Sequence, residues 1–220
     1  MIGFGTGKYM ELSDNSDTSN QTIYGIWDNE SIISSRINLL QQNIVGQATE
    51  SGVEYRINSS FGISWGTHQG WFIDLPEAGE RVDVNPIIRD GRFVFVTRTP
   101  SSDPCSAGGE SWLMELNYLN GGYLDTTPFD VNNDGVLDSD DYIDNIDVNG
   151  DGTVDDDDKV PVSGRRDPSG GMVASPTVIT DANDLTREFK VLSSSTGSLK
   201  TVEESADARY RGRISWEELR

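Results

Sequence analysis

Hydrophobic residues occur along the chain in short runs of four to six residues, rich in β-branched and aromatic side chains and bounded by Gly, Pro, Asn or Asp. Such runs are typical of β-strands separated by turns. They predict strands at residues 23–27, 71–75, 86–89, 92–97, 111–116, 177–180, 188–192 and 213–216. Asp90-Gly91, between two of these strands, predicts a tight β-hairpin. Residues 32–42 are predicted as the single helix, although their β-branched and Ser content disfavours one.

The order of these segments recurs along the chain. Each unit has an apolar strand, a hairpin, a second apolar strand and a small polar turn with Gly, and the units cover residues 85–122, 175–197 and, without its beginning, 2–27. Sheets repeated in this way are typical of propeller blades. The prediction is an all-β fold in which residues 1–220 form the C-terminal part of a β-propeller domain. An immunoglobulin-like sandwich is the alternative, and the repeat would then be accidental.

An open propeller would expose sheet edges and apolar blade faces, so the chain is expected to be a piece of a larger propeller. The first residues lack a basic segment followed by an apolar one, so they do not form a signal peptide. The protein is then either cytosolic or exported, with this chain a mature or truncated piece; the family resemblance described below favours an exported protein and a fragment that lacks the signal peptide.

Composition and charge exclude several function classes. The 220 residues carry a formal net charge of −20, which repels phosphate backbones and makes nucleic acid and anionic membrane surfaces poor partners. No run approaches the roughly 18 apolar residues that a membrane-spanning helix needs. The single cysteine, Cys105, cannot form a disulfide within this chain.

Much of the negative charge lies in one segment. Residues 125–158 contain 13 Asp and no Lys, Arg or Glu. Carboxylates at this density repel one another unless something neutralises them. A solvated, disordered acidic insertion is one interpretation, but the spacing of the oxygen-bearing side chains favours a metal-binding insertion, predicted at residues 124–169.

Two stretches of that insertion match the pattern of a 12-residue calcium loop, with oxygen side chains at positions 1, 3, 5, 9 and 12 and Gly at position 6. Alternate residues can direct oxygens inward around a tight turn, and the main-chain carbonyl of position 7 adds one more. Asp replaces the usual Glu at position 12. The predicted ligands of the first loop, residues 130–141, are Asp130, Asn132, Asp134, Val136 through its carbonyl, Asp138 and Asp141. Those of the second loop, residues 147–158, are Asp147, Asn149, Asp151, Thr153, Asp155 and Asp158.

The spacing and the donor types narrow the kind of site. Only residues 142–146 separate the loops, which is too few for an exiting and an entering helix, so a helix-loop-helix sensor pair is excluded. Flexible cages of carboxylates suit Ca²⁺ better than the smaller Mg²⁺. Zinc is disfavoured because the only His and the only Cys lie far apart in sequence. Leu137, at position 8 of the first loop, is expected to anchor that loop on the core.

The sequence offers no catalytic or cofactor-binding constellation. His68 has no readable partner and is expected to be structural. Gly3, Gly5 and Gly7 before Lys8 lack the spacing of a phosphate loop and predict a tightly packed strand. Cys105 has no neighbouring His to activate it. The five tryptophans are expected to pack in the core rather than to form a sugar-binding platform; they are Trp27, Trp65, Trp71, Trp112 and Trp216.

Several stretches together resemble the PilY/PilC family of type IV pilus biogenesis and tip adhesin proteins, in their C-terminal propeller. The strongest is Pro-Ser-Ser-Asp-Pro-Cys-Ser-Ala-Gly-Gly at residues 100–109, continuing through residues 111–116. The others are residues 5–9, 21–28, 70–76, 79–82 and 212–216. The resemblance implies a modified quinoprotein-like propeller at the cell surface, fimbrium or outer membrane. It also implies a calcium loop, here Asp130, Asn132, Asp134, Val136 and Asp138, that governs pilus extension and retraction.

The resemblance further implies type IV pilus components as partners, such as minor pilins or the pilus tip. Binding to host or abiotic surfaces would belong to N-terminal regions absent from this chain. The second loop departs from the family pattern, and its role is open. Two alternatives from other classes are a dockerin-like calcium-dependent binding module, which would need a helix after each loop, and a quinoprotein-type dehydrogenase fragment, which would rest on fold analogy alone.

Overall fold

The computed structural model describes residues 1–101, 103, 108–184 and 186–206. Within them, no α-helix forms, and strands alternate with four short 3-10 segments. The strands are β1 (Ile2–Gly5), β2 (Thr22–Ile26), β3 (Leu40–Gln42), β4 (Ile44–Glu50), β5 (Val53–Asn58), β6 (Gly70–Asp74), β7 (Ile87–Arg89), β8 (Arg92–Pro100), β9 (Gly109–Asn117), β10 (Gly164–Arg166), β11 (Thr177–Thr180), β12 (Arg187–Ser193) and β13 (Leu199–Ser205). The 3-10 segments are Leu12–Ser16, Arg36–Asn38, Ser139–Asp141 and Asp156–Asp158. The all-β prediction is confirmed.

The strands form three open sheets. The first sheet has the order β1-β2-β6-β3, in which β3 runs parallel to β6 and the other pairs are antiparallel. The second sheet is antiparallel throughout, in the order β4-β5-β10-β9-β8-β7. The third sheet is the antiparallel run β11-β12-β13.

Seven of the eight predicted strands are confirmed as β2, β6, β7, β8, β9, β11 and β12, and the eighth, at residues 213–216, lies outside the described residues. The predicted hairpin joins β7 to β8. Asp90 and Gly91 have φ values of 48° and 78°, as expected for the two central residues of a type I′ turn, whose twist matches that of the flanking strands.

The predicted helix at residues 32–42 is wrong. Residues Arg36–Asn38 form a single 3-10 turn, and Leu40–Gln42 continue as β3 beside β6. The fully buried Gln42 side chain donates to the carbonyls of Phe61 and Asn120 and accepts from the Ser59 hydroxyl. Tertiary hydrogen bonds and sheet pairing therefore override a helix propensity that is weak from the start.

Each predicted repeat unit corresponds to an antiparallel run, namely β7-β8-β9, β11-β12 and β1-β2. The sheets that contain them have six, three and four strands, so the units are not uniform four-stranded blades. The propeller architecture stays a prediction.

The second sheet is buried on both faces. Successive residues of β8 point to opposite sides of the sheet, and both sets of side chains are buried. Phe93 and Phe95 pack towards the first sheet, with Trp71 and Trp112, whereas Val94 and Val96 pack on the other side. The first sheet approaches closely because it presents glycines there. A Cβ at Gly3 would overlap the Phe93 ring, in agreement with the tight packing predicted for this strand.

The opposite face of the second sheet is covered by the acidic insertion and the third sheet. The insertion contributes a row of buried apolar side chains to this core: Phe129, Val131, Ile143, Val148, Val160 and Val162. A buried ion cluster joins the third sheet to the second, since Lys190 of β12 contacts both Glu115 of β9 and Glu204 of β13. The acidic segment is therefore folded onto the core rather than extended into solvent.

Candidate metal centre

Both predicted calcium loops lie in the long connection between β9 and β10, which are neighbours in the second sheet. The start of this connection is held by the third sheet, because Phe129 forms an isolated β-bridge with Glu204 and the Ser205 hydroxyl donates to the Thr127 carbonyl over 3.1 Å. The loops consequently start from a fixed base on the core.

In the first loop, the predicted ligand side chains organise the backbone. The Asp130 Oδ2 atom accepts the N–H of Gly135 at 3.0 Å, Asn132 Oδ1 accepts that of Asp134 at 2.9 Å, and Asp134 Oδ1 accepts that of Val136 at 2.8 Å. Gly135, at position 6, has a φ of 81°, in the left-handed region that glycine adopts at low cost. The chain therefore winds around the side chains at positions 1, 3 and 5.

The residue at position 12 has a different place from the other predicted ligands. Asp141 is fully buried, and its Oδ1 accepts the N–H groups of Val131 at 2.6 Å and Asn132 at 3.2 Å. Its Oδ2 accepts the N–H of Asp138 at 3.1 Å. The carboxylate thus fastens the end of the loop to positions 2, 3 and 9.

The second loop repeats this network. Asp158 is also fully buried, and it accepts the N–H groups of Val148 at 2.7 Å, Asn149 at 3.2 Å and Asp155 at 3.1 Å. Asp147 Oδ2 accepts the N–H of Gly152 at 2.9 Å. Two stretches that start 17 residues apart therefore share one hydrogen-bonding pattern.

Hydrogen bonds lower the pKa values of two carboxyl groups in the second loop, those of Asp158 and Asp151. Burial raises the pKa of Asp158, but the three backbone donors outweigh it and hold that pKa below the ordinary 3.8. The hydroxyl and backbone N–H of Thr153 lower the pKa of Asp151 in the same way. Both carboxyls are charged at neutral pH, which is the form that a cation requires.

The loops differ at position 1. Asp147 uses both carboxylate oxygens, since its Oδ1 accepts the N–H of Gly150 at 2.7 Å. Asp130 uses only Oδ2, and its Oδ1 is buried without a hydrogen-bond partner. A buried carboxylate oxygen without a hydrogen-bond partner costs free energy. A cation bound in the first loop would give Asp130 Oδ1 a partner.

The donor set fits a hard cation such as Ca²⁺, which takes oxygen ligands from carboxylates, amides and main-chain carbonyls. Asn132 Nδ2 lies 3.1 Å from Asp134 Oδ2, so the side chains at positions 3 and 5 share one side of the first loop. Within the described residues, no three His, Cys, Asp or Glu side chains are grouped to hold a metal ion. The ligand assignment, with its amide and carbonyl donors, stays a prediction.

The loops are anchored on the core by position 2 rather than by position 8. Val131 and Val148 are buried, whereas Leu137 is only half-buried and Val154, the equivalent residue of the second loop, is 53% exposed. The expectation that Leu137 anchors the first loop is therefore corrected. The cause is the buried carboxylate at position 12, which draws the backbone of position 2 into the core.

Beyond the loops, Ile143 and Val160 form an antiparallel bridge. Each is two residues past position 12 of its loop, and their backbone groups exchange hydrogen bonds of 3.0 and 3.1 Å. Both side chains are buried in the same cluster as Val131 and Val148. The two loops consequently meet at their exits.

Sequence reasoning missed two features of the loops that local signals could have indicated. Position 4 adopts a left-handed conformation in both loops, with φ values of 60° at Asn133 and 79° at Gly150, and Asn and Gly are the residues that tolerate it. The spacing Asp-x-x-Asp at positions 9 and 12 resembles a capping box, which the structure contains at both Ser139–Asp141 and Asp156–Asp158.

The structure also shows the surroundings of His68 and of four of the five tryptophans. His68 Nδ1 accepts the N–H of Ser64 at 3.2 Å within a turn. Trp71 and Trp112 are fully buried, as predicted, but Trp27 and Trp65 are each 38% exposed and pack against each other edge to face at 5.2 Å. Cys105 and Trp216 lie outside the described residues.

Comparison with known proteins identifies relatives. No family model matches the chain. It is 34% identical over 129 residues to a type IV pilus biogenesis factor PilY1 homolog of Xylella fastidiosa, covering 56% of this chain and 9% of that protein. It is 35% identical over 163 residues to type IV pilus biogenesis factor PilY1 of Pseudomonas aeruginosa, covering 63% of this chain and 14% of that protein. The chain thus matches only about a tenth of the length of these curated relatives.

A solved structure gives the same answer. The crystal structure of the Pseudomonas aeruginosa PilY1 C-terminal domain superposes with a TM-score of 0.69 and 26% identity, covering 91% of this chain and 40% of that one. Among the described residues, no helix is long and apolar enough to cross a membrane. The two comparisons agree: the chain is similar in sequence to PilY1 type IV pilus biogenesis factors and similar in fold to part of the PilY1 C-terminal domain.

Proposed function

We propose that the chain is a non-enzymatic, calcium-binding module of a type IV pilus biogenesis factor, and that calcium occupancy regulates pilus extension and retraction. The observation that carries the proposal is the repeated loop network, with positions 1, 3 and 5 wound inside a turn and a buried, unpartnered oxygen on Asp130. The relatives are named as pilus biogenesis factors. Similarity to them supports the pilus context.

The residues that would hold the ion in the first loop are Asp130, Asn132, Asp134 and Asp138 through side chains and Val136 through its carbonyl. Those of the second loop are Asp147, Asn149, Asp151, Asp155 and Thr153. When bound, calcium supplies positive charge that offsets the repulsion among these carboxylates. Asp141 and Asp158 stay predicted ligands, and they also accept backbone N–H groups that hold the loop in the conformation that presents the other oxygens.

Regulation would act through the order of the insertion. Without a cation, the carboxylates of the two loops repel one another, and that repulsion opposes the folded insertion. A ligand at 100 times its dissociation constant stabilises the form that binds it by about 2.7 kcal/mol. Since the insertion covers one face of the second sheet, calcium occupancy would change how firmly that face is closed.

The wider setting is part of the same proposal. The three open sheets would belong to a larger, modified quinoprotein-like propeller, located at the cell surface, in the fimbrium or at the outer membrane. Type IV pilus components such as minor pilins or the pilus tip would be its partners. A dockerin-like module is not favoured, because each loop ends in a 3-10 segment of three residues, Ser139–Asp141 or Asp156–Asp158, rather than a helix.

The test uses the full-length protein in a strain that depends on it for piliation. Asp134→Ala combined with Asp151→Ala is expected to abolish the calcium dependence of surface piliation and of pilus-driven motility. Asp140→Ala combined with Asp157→Ala is the matched control, because these exposed residues carry the same charge at a position that is not a predicted ligand. Unchanged calcium dependence in the first double variant would contradict the proposal.

A further inference from the structure

The two loops are joined to each other as well as to the core. Position 14, counted from Asp130 and from Asp147, is Ile143 in one case and Val160 in the other, and these two residues form a reciprocal backbone bridge. Only Tyr142 separates Asp141 from the bridge, and only Lys159 separates Asp158 from it. The ends of the two loops are therefore connected through Tyr142, the bridge and Lys159.

The side chains at the junction reinforce this connection. Val131, Ile143, Val148 and Val160 are each less than 9% exposed and belong to one packed cluster. In each loop, the buried carboxylate at position 12 fastens the backbone of position 2, which is a member of that cluster. Packed cores shift between discrete arrangements rather than deforming freely, so the four anchors are expected to become ordered together.

We propose that the two loops bind calcium as a coupled pair, with the Ile143–Val160 bridge and its four shared anchors as the coupling element. The inference rests on the proposed calcium binding. Ordering the first loop fixes its exit strand, which fixes the bridge partner of that strand at the exit of the second loop. The entropic cost of ordering the second loop is then partly met before it binds, which is positive cooperativity.

Electrostatic repulsion between two bound cations opposes this coupling, so the sign of the measured coupling shows which of the two effects is larger. A divalent cation in one loop lowers the attraction of the other loop for a second cation. That repulsion is screened over about 8 Å at physiological ionic strength. Positive coupling would therefore require the shared bridge and core to outweigh the repulsion, and the coupling is expected to strengthen as salt is added.

Calorimetric calcium titration of the whole chain tests the proposal. Asp151→Asn disables the second loop and is expected to weaken calcium binding in the first loop at least about fivefold, the lower end of ordinary coupling between sites. Asp134→Asn is expected to weaken binding in the second loop by the same factor, because coupling between two sites is reciprocal. Asp156→Asn and Asp140→Asn remove the same charge from non-ligand positions, and they should leave both affinities within about twofold.

A second readout reports the coupling element itself. In the Asp151→Asn variant, calcium bound only to the first loop should slow hydrogen exchange at the Val160 amide, which donates across the bridge. Single-loop affinities equal to the wild-type affinities, with unchanged exchange at Val160, would overturn the coupling and leave calcium binding intact. Absence of calcium binding in the wild-type chain would overturn the proposed function and the coupling with it.

Discussion

At the scale of single residues, the buried aspartates at position 12 determine how the loops are built. Asp141 and Asp158 each receive three backbone N–H groups from their own loop. Hydrogen bonds to a charged acceptor are about twice as strong as neutral ones. The loop backbone is therefore held by the side chains at positions 1, 3 and 5 and, in addition, by the buried aspartate at position 12.

This distinction predicts the behaviour of Asp158→Asn. The variant keeps one carbonyl oxygen but loses the charge, and it places an NH₂ group among N–H donors. We expect the melting temperature to fall by a few degrees in the presence of a chelator, because the lost bonds do not involve a metal. Asp157→Asn, at the exposed neighbouring position, is the control. Equal melting temperatures for the two variants in chelator would show that Asp158 has no role in fastening the loop.

The sequence located both repeated loops from the positions of their oxygens and glycines, but it did not show how the Asp at position 12 is held. That residue fits the ligand pattern and the capping pattern equally well, and its burial and three backbone donors are visible only in the structure. The anchoring residue was missed for the same reason. A hydrophobic residue occurs at both positions 2 and 8, and the choice of Val131 over Leu137 depends on the core beneath the loop.

At the scale of elements, glycine in the first sheet makes room for a large aromatic side chain. Gly25 of β2 pairs with Trp71 of β6 in that sheet and faces its indole, which is fully buried and donates its Nε1–H to the Tyr118 carbonyl at 3.1 Å. An added Cβ at Gly25 would overlap the indole ring. The rigid ring cannot yield without breaking its hydrogen bond or displacing Phe93, against which it packs at 5.7 Å.

Gly25→Ala is therefore expected to lower the free energy of unfolding by about 1–3 kcal/mol, the usual cost of overpacking a core. Gly66→Ala is the matched control, because no atom lies within 4 Å of the Cβ that it would add. Urea denaturation of both variants measures the difference. A loss no larger at Gly25 than at Gly66 would contradict the close packing of the Trp71 indole over Gly25.

Strand prediction succeeded where apolar runs are contiguous and failed where pairing is decided by distant parts of the chain. β8 and β9 contain contiguous hydrophobic residues, at 93–96 and 112–114, and are recognisable locally. β4 and β5 contain Gln47, Glu50 and Arg56 among their residues, and the buried Arg56 is stabilised by Glu80 through hydrogen bonds of 2.5 and 2.9 Å. β3 forms by parallel pairing with β6. Neither relationship leaves a periodic pattern in the sequence.

At the scale of the whole molecule, ion pairs connect the sheets. Asp167 follows β10 of the second sheet, and its carboxylate pairs with Lys200 of β13 in the third sheet. Burial alone would raise the pKa of Asp167. The Lys200 ammonium and the hydroxyl and backbone N–H of Ser169 together have the larger effect, and they lower the pKa to about 2. Because the pKa in the folded chain is lower than the ordinary 3.8, this group stabilises the fold above pH 4 and loses that contribution as the pH falls towards 2.

The predicted consequence is a difference in acid sensitivity. Asp167→Asn should be less stable than the wild type at pH 6, and the two should converge between about pH 4 and pH 2. Thermal melts across this range measure the convergence, and the other acidic groups with lowered pKa values, such as Asp14, affect both proteins equally. Parallel loss of stability in the two proteins would show that the pair does not connect the sheets energetically.

The arrangement of sheets also determines what the predicted calcium loops can influence. The acidic insertion and the third sheet together cover one face of the second sheet, so the exposed loops are attached directly to the core through Val131 and Val148. The repeat units in the sequence indicated the antiparallel runs correctly. The six-stranded sheet depends on β10, a three-residue strand that returns from the insertion to pair with both β5 and β9.

The measurement that tests the central claim most directly is a thermal melt of the chain in chelator, across a calcium titration, and in magnesium at matching concentrations. We expect a saturable rise in melting temperature that calcium produces and magnesium does not, since only calcium suits flexible oxygen cages of this kind. Asp134→Ala combined with Asp151→Ala should abolish the rise. Identical melting temperatures in chelator and in saturating calcium would contradict the account, and the 13 aspartates of residues 125–158 would then be an acidic insertion without a metal.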